Sequence, residues 1–277
     1  MGEMNQRQIE DWNGPRGARW LAHHAWLDRS FTAFSEAALR AANLRAGEIV
    51  LDVGCGPGAT THEIAQRVAP GGRVVGVDVS APLVQRAREL VQGTNVAFEL
   101  ADASLHPFEP GAFDVLFSRF GVMFFDEPER AFAHLRAALR PDGRVAFVCW
   151  RTAMENDWFR VPFRALQDVL PHLAPADPSA PGPFAFGDRH RVERTLRAGG
   201  FANIAMTPFD APLYVAADAD ESLDQTLRVG PFAGMLAEQS EDMRQRGLSS
   251  IRASLAARAT GRGVTLSGAA WIVTADV

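Results

Sequence analysis

The sequence predicts an α/β protein with a doubly wound, mostly parallel, seven-stranded sheet, a helical segment ahead of it and helical insertions behind it. Three observations carry that prediction. Short apolar runs alternate with helix-periodic segments five times between residues 45 and 150, the pattern of parallel strands joined by crossover helices. The first run, Val50-Leu51-Asp52-Val53, empties into Gly54-Cys55-Gly56-Pro57-Gly58, a loop with glycine at every second position. Asp52, Asp78, Asp102 and Ser118 fall at or just past strand ends, and in an open sheet those ends border one shared crevice.

The elements follow in order. After the glycine loop, Thr60 to Val68 reads as a helix whose first backbone N–H groups are free for a ligand. The turn Pro70-Gly71-Gly72 leads to the strand Val74 to Asp78, and a second helix begins near Ser80-Ala81-Pro82. Val96 to Leu100 alternates as a third strand and ends at Ala101-Asp102-Ala103. Gly111 to Ser118 is the fourth, followed by the apolar run Phe120 to Phe125. The next helix has Asp126 as its expected N-cap, Pro128 in its first turn, and Phe132, Leu135 and Leu139 on one face. Leu139 to Arg144 turns into the fifth strand, Val145 to Trp150.

A glycine-rich strand-to-helix turn is shared by several nucleotide sites, and spacing narrows the choice. Gly54, Gly56 and Gly58 do not follow the Gly-x-Gly-x-x-Gly dinucleotide fingerprint, and no Lys-Ser or Lys-Thr pair follows as a P-loop requires. A tight βα turn without a ligand is the alternative. Asp78 is placed either to accept hydrogen bonds from ribose hydroxyls or to cap the helix after it.

The word Val50 to Gly58 resembles the first motif of class I S-adenosylmethionine-dependent methyltransferases. The segments at Asp102 and Ser118 and the turn and strand from Leu139 to Trp150 resemble that family too. Ser118-Arg119-Phe120 and the overall layout look closest to its UbiE/Coq5-like small-molecule branch. The resemblance covers about residues 45 to 150. It implies a Rossmann-like methyltransferase fold with S-adenosylmethionine as cofactor and S-adenosylhomocysteine as product. It further implies that Asp52, Gly54, Cys55, Gly56, Asp78, Val79, Asp102, Ala103 and Ser118 bind the cofactor. Among these, Asp52 serves the methionine end, Asp78 the ribose and Asp102 the adenine amino group.

Composition agrees with an enzyme of small molecules. A net charge of −5 without a basic block argues against a large nucleic-acid footprint. Cys55 and Cys149 are isolated, lack metal-ligand spacing and read as reduced thiols. The polar start and the lack of an apolar stretch of spanning length point to a cytoplasmic protein without a membrane span or metal. Oligomeric state has no sequence signal.

Two flanks carry acceptor choice. Residues 1–44 form a helical N-terminal flap or packing segment: Trp12-Asn13-Gly14-Pro15 is a turn, Leu27, Phe31, Phe34 and Ala38 are a helical stripe, and Trp12 and Trp20 either cover the cofactor or pack. Residues 151–277 carry the rest of the sheet with helical lid insertions. Glu155 to Leu170 is helical with Pro162 expected to bend or divide it, and Pro171 to Pro183 is a linker or rigid loop. Asp188 to Ala198 is a helix, Asn203 to Phe209 the sixth strand, Ser222 to Arg258 helical, and Ala270 to Thr274 the last strand.

The chemistry implied is attack of a substrate nucleophile on a sulfonium methyl, in which positioning and exclusion of water do much of the work. The expected acceptor is a small, partly apolar metabolite methylated at O, N or C. Trp20, Arg119, Phe124 and Trp150 are its candidate contacts. Arg119 pairs with an anionic substrate or forms a structural ion pair. Phe120, Met123, Phe124 and Phe125 are pocket wall or core. His23, His24 and His106 are candidate bases without a decisive signal, so the catalytic residue stays open. No Asn-Pro-Pro-Tyr-like word follows the fourth strand and no Pro-Cys word occurs, which argues against base-directed amino or cytosine-C5 methylation. The competing functions are a non-catalytic S-adenosylmethionine binder and an NAD-dependent dehydrogenase.

Overall fold

The computed structural model describes residues 3–175 and 177–277, with side chains from residue 5. The start of the expected flap and one position of the Pro171 to Pro183 loop lie outside the described residues. The chain divides into two compact units. The first holds residues up to Trp150 together with Pro178–Phe209 and Ala270–Val277; the second holds Arg151–Asp177 and Asp210–Ala269.

In chain order the first unit begins with helices α1 (Glu3–Asn13), α2 (Pro15–Ser30) and α3 (Thr32–Ala42). Then β1 (Ile49–Val53), α4 (Ala59–Val68), β2 (Arg73–Asp78), α5 (Ala81–Leu90), β3 (Val96–Leu100), β4 (Phe113–Arg119), α6 (Pro128–Ala138) and β5 (Leu139–Trp150) alternate as expected. After α7 (Asp157–Gln167), which belongs to the second unit, come α8 (Arg189–Ala198) and β6 (Ala202–Ala216). Then α9 (Ala219–Val229), α10 (Phe232–Ala237), α11 (Glu241–Ala256), β7 (Ala259–Thr260) and β8 (Gly263–Asp276) close the chain.

The sheet runs β3-β2-β1-β4-β5-β8-β6, with the two-residue β7 paired to β8 outside that path. Strands β1 to β5 pair in parallel, and β8 returns antiparallel along β5. The order reverses direction between β1 and β4, which is where open sheets of this kind bind ligands. Val50, Val115, Leu116, Phe117 and Phe147 are fully buried, because a sheet covered by helices on both faces needs apolar residues in both directions.

Several boundaries differ from the sequence reading. The Leu27, Phe31, Phe34, Ala38 stripe is buried as expected, but the helix breaks at Phe31 into α2 and α3. Asp126 does not cap α6; Glu127 holds that position without a side-chain cap bond. The turn expected over Leu139 to Arg144 is a wide bulge inside β5, since Leu139 pairs with Phe113 and Arg144 with Val115. Leu139 thus opens a strand instead of closing the helical face. The helix expected over Ser222 to Arg258 is three helices starting at Ala219, and β6 and β8 are longer than expected.

In the second unit α7 runs through Pro162 without dividing. The proline is the sixth of the helix's eleven residues, and Phe159, Phe163 and Leu166, buried around it, hold the helix across the lost backbone bond. Phe159 stacks on Phe163 at 5.0 Å and packs on Phe232 at 5.6 Å. Gly247 lets α11 press against Leu236 and Leu166: a Cβ there would lie 2.6 Å and 3.0 Å from their methyl carbons. Asn156, fully buried, donates to Ala269 O at 3.0 Å and accepts from Ala269 N at 2.8 Å, tying the start of α7 to β8.

Candidate functional site

The site grows from the turn after β1. Gly54, Gly56 and Gly58 all have positive φ, +70°, +54° and +88°, which a side chain would strain. Gly54 also meets Gly121 so closely that a Cβ would lie 2.8 Å from the Gly121 Cα. The β1 and β4 exits therefore touch backbone to backbone. Gly56 differs: a Cβ there would have nothing within 4 Å, so the space beside this backbone is open.

Four acidic or hydroxyl groups frame that opening. Asp52 is fully buried; its Oδ2 accepts from Thr60 Oγ1 at 2.9 Å and Thr61 Oγ1 at 2.7 Å, while its Oδ1 is buried without a hydrogen-bond partner. Burial pushes this carboxyl up to about 6, against the pull of the two threonine hydroxyls and the Arg119 charge. Asp78 accepts from Gly56 N and Ser80 N, each at 2.9 Å. Burial raises its pKa, and the backbone donors oppose that rise. Asp78 is thus both a loop organiser and a carboxylate at the crevice. Asp102 Oδ1 accepts from Ser104 N at 2.9 Å and Ser104 Oγ at 2.7 Å, and its Oδ2 accepts from Asn5 Nδ2 at 2.7 Å. Ser118, fully buried, donates to Val53 O at 2.7 Å and accepts from Gly121 N at 3.1 Å. Its one proton is spent on joining β1 to β4.

Cys55, Val79 and Ala103 complete the expected set. The Cys55 thiol is buried, and burial together with the charges of Asp78 and Asp52 drives its pKa well up, so it packs and does not react. Val79 is half-buried and gives its carbonyl to Asn13 Nδ2 at 2.9 Å. Ala103 is buried beside Asp102.

The N-terminal helices cross these strand ends in the order of the sheet. Asn5 of α1 reaches Asp102, just past β3. Trp12 O accepts from Ser80 Oγ at 2.7 Å, and Asn13 Oδ1 accepts from Ala81 N at 2.9 Å, just past β2. Gly17 opens α2 there, with no room for a Cβ between Trp12 O and Ser80 Oγ. Farther along α2, Asp28 accepts from Arg119 Nη2 at 2.6 Å at the end of β4. Phe31 and Phe34 then pack edge-on against Trp150, the last residue of β5, at 5.7 Å and 5.0 Å. None of Asn5, Asn13, Asp28 or Gly121 stood out in the sequence; Thr60-Thr61, directly after the glycine loop, carried the one usable signal.

The four candidate acceptor contacts fall in one aromatic cluster. Trp12 packs on Trp20 at 5.6 Å and on Phe124 at 5.3 Å, and Trp20 reaches Phe31 at 6.3 Å. Phe120 stacks on Trp150 at 4.1 Å. Phe120 holds φ at +61°, an uncommon conformation for a bulky residue, fixed by that stack and by its N–H to Val148 O at 3.0 Å. Phe120, Met123 and Trp150 are buried core, whereas Trp12, Trp20 and Phe124 are half-buried. Arg119 forms an ion pair with Asp28 and donates to Ser35 Oγ at 3.2 Å.

Of the histidines, His106 pairs with Glu99 at 3.1 Å and lines an open depression of about 400 Å³ that takes in Arg73, Val96 and Phe113, the first residues of β2, β3 and β4. His24 Nδ1 lies 2.7 Å from Leu21 O. Among the described residues no helix is long and apolar enough to cross a membrane, and no cluster of three His, Cys, Asp or Glu side chains is arranged to hold a metal.

Residues 50–143 match the family model described as "Methyltransferase domain". A nocamycin O-methyltransferase of Saccharothrix syringae is 34% identical over 173 residues, 58% of this chain and 61% of that protein. The ubiquinone/menaquinone biosynthesis C-methyltransferase UbiE of Hahella chejuensis is 33% identical over 106 residues, 37% of this chain and 43% of its own. The chain therefore spans less than two thirds of these curated relatives. Phosphoethanolamine N-methyltransferase 2 of Haemonchus contortus, solved in complex with S-adenosyl-L-methionine, superposes with a TM-score of 0.54 at 19% identity over 88% of this chain and 52% of that one. The fold is the Rossmann-like methyltransferase fold.

Proposed function

We propose that the chain is an S-adenosylmethionine-dependent methyltransferase acting on a small, partly apolar metabolite. The observation that carries this reading is the grouping of the unpartnered Asp52 Oδ1, the open side of Gly56 and the Asp78 carboxylate at the ends of adjacent parallel strands.

The residues present fit the cofactor. A buried carboxylate oxygen lacking a donor, Asp52 Oδ1, suits an ammonium group at the methionine end. The open backbone at Gly54 to Gly56 suits a ligand that approaches the main chain. Each Asp78 oxygen accepts one N–H and keeps a lone pair for a ribose hydroxyl. Asp102 Oδ2 already accepts from an NH₂ group, the chemistry an adenine amino group presents. Cys55, Val79 and Ala103 line the same segments, and Ser118 holds the β1 and β4 exits together. When bound, S-adenosylmethionine supplies an electrophilic methyl group on a sulfonium sulfur. The chain's own part is to orient the acceptor and exclude water, for which the half-buried rings of Trp12, Trp20 and Phe124 are suited.

Acceptor choice is assigned to the N-terminal segment and to residues 151–277, because these lie outside the matched residues 50–143. Likeness to the Hahella UbiE protein supports the quinone-type, small-molecule branch, and the Saccharothrix relative supports oxygen as the methylated atom. Two unpaired, buried thiols and a net charge of −5 suit a cytoplasmic enzyme that does not bind nucleic acid.

Isothermal titration with S-adenosylmethionine, S-adenosylhomocysteine and NAD tests the reading. Binding of the first two without NAD supports it, and NAD binding alone sinks it. Transfer of labelled methyl to a component of a metabolite extract then separates an enzyme from a non-catalytic binder.

A further inference from the structure

Helix α2 is anchored past two strand ends that flank β1. Its first turn touches Ser80, past the end of β2, through Gly17, and its later part touches Arg119, at the end of β4, through Asp28. Because β1 lies between β2 and β4 in the sheet, the stretch of α2 from Gly17 to Asp28 spans the end of β1, where the glycine loop begins. At about 100° per residue, helical spacing puts Trp20, Leu21 and His24 on the face that also carries Gly17, Leu27, Asp28 and Phe31. Leu27 and Phe31 are buried on that face, and His24 is half-buried among them. His23 is turned off it by one helical step. His24 Nδ1 lies 2.7 Å from Leu21 O, an oxygen that can only accept, so Nδ1 carries a proton and the neutral form of the ring has its lone pair on Nε2.

We infer that His24 Nε2 takes the proton of the methyl acceptor, and that the acceptor is a planar, apolar molecule carrying a phenol or enol hydroxyl. This rests on the methyltransferase reading above. A lone pair at this place serves a nucleophile that must lose a proton as it reacts, and the rings of Trp20, Trp12 and Phe124 suit a flat apolar body. The hydroxyl oxygen forms the new bond to the methyl carbon with a lone pair, and the carbon–sulfur bonding pair stays on sulfur as a neutral thioether. The O–H proton passes to Nε2, and the imidazolium returns it to water.

The charged groups on the elements packed against α2 are largely spoken for. Arg16 pairs with Asp11 of α1, Arg86 with Glu89 of α5, Arg40 with Glu36 of α3, and Asp28 with Arg119. Arg88 of α5 donates to Phe98 O. Asp78 is held by backbone donors, and burial pushes Asp52 up to about 6, so Asp52 can itself add a pH limb. A pH limb counts for His24 only if it disappears with His24.

The test uses the full chain, its His24→Gln and His24→Gly variants, S-adenosylhomocysteine, and catechol and 2-naphthol as acceptors. Titration should show S-adenosylhomocysteine affinities within about twofold across the three proteins, since the imidazole acts on the acceptor. Nitrogen-15 NMR of histidine-labelled protein should show His24 as the Nδ1–H tautomer with an unprotonated Nε2. Transfer to the phenols should fall ~10²–10⁴-fold in His24→Gln with loss of its acid limb, and added imidazole should restore part of the rate in His24→Gly. An Nε2–H tautomer, or a variant that keeps both rate and acid limb, overturns the inference. Transfer to neither phenol by a wild-type chain that binds S-adenosylhomocysteine overturns the acceptor class. Failure of the wild-type chain to bind S-adenosylhomocysteine overturns the cofactor reading beneath it.

Discussion

The Asn5 side-chain amide donates to Asp102 Oδ2 at 2.7 Å, joining residues 97 positions apart in the chain. An NH₂ group from the first helix thus sits on the carboxylate oxygen that the methyltransferase reading gives to an adenine amino group. Oδ2 keeps a second lone pair, but the two NH₂ groups crowd one oxygen, so Asn5→Ala should tighten S-adenosylhomocysteine binding by ~3–10-fold, the worth of one modest hydrogen bond. Isothermal titration of both proteins measures it, and equal affinities would place the adenine away from Asp102.

Asp78 organises the loop and faces the crevice. Asp78→Ala removes the acceptor of Gly56 N and Ser80 N and should lower the melting temperature. It should also weaken S-adenosylhomocysteine binding by roughly 1–3 kcal/mol through unpaired ribose hydroxyls. A lower melting temperature with unchanged affinity would leave Asp78 with the loop alone.

The glycines of the loop should separate stability from binding. Gly54→Ala sets a methyl 2.8 Å from the Gly121 Cα at a φ of +70°, and should destabilise the fold by about 2–4 kcal/mol. Gly56→Ala meets nothing within 4 Å, so its cost is the left-handed backbone alone, about 1–2 kcal/mol. Its methyl instead fills the ligand's approach, and affinity for S-adenosylhomocysteine should drop at least ~10-fold. Urea melts paired with titration would show the contrast; a Gly56→Ala protein that binds normally would move the ligand away from this backbone.

Asp52 makes stability depend on pH with an inverted sign. Its folded pKa of about 6 lies above the ordinary 3.8, so the folded chain holds a proton that the unfolded chain has lost between those values. The Asp52 contribution therefore favours folding below that window and declines as pH rises through it, by up to about 3 kcal/mol. The unfolding free energy of the wild type minus that of Asp52→Asn should fall between about pH 4 and 6 and level off above. A difference independent of pH would mean that burial does not raise this carboxyl.

The core from Val50 to Trp150 is legible in the sequence because its signals are local. Apolar runs of strand length, the alternate glycines and acids at strand ends each report on a few neighbouring residues. Boundaries were less legible where burial overrode them: Pro162 stays inside α7 because Phe159 and Phe163 hold the helix, and the strand at Leu139 begins before its expected turn because it pairs with Phe113. At the site, Asp52 and Gly56 stand where the spacing puts them. The engagement of Ser118 with Val53 O and of Arg119 with Asp28 is set by neighbours distant in sequence, and no local pattern announces it.

The sequence by itself determined the order of strands and helices, the glycine turn and the acids around it, since periodicity and turn chemistry act over a few residues. Tertiary structure alone decided what lies over them. The stripe from Leu27 to Ala38 requires a buried face but does not name the surface that buries it. Packing chose the strand ends, and in doing so brought Asn5 to Asp102, Asn13 to Val79 and Asp28 to Arg119.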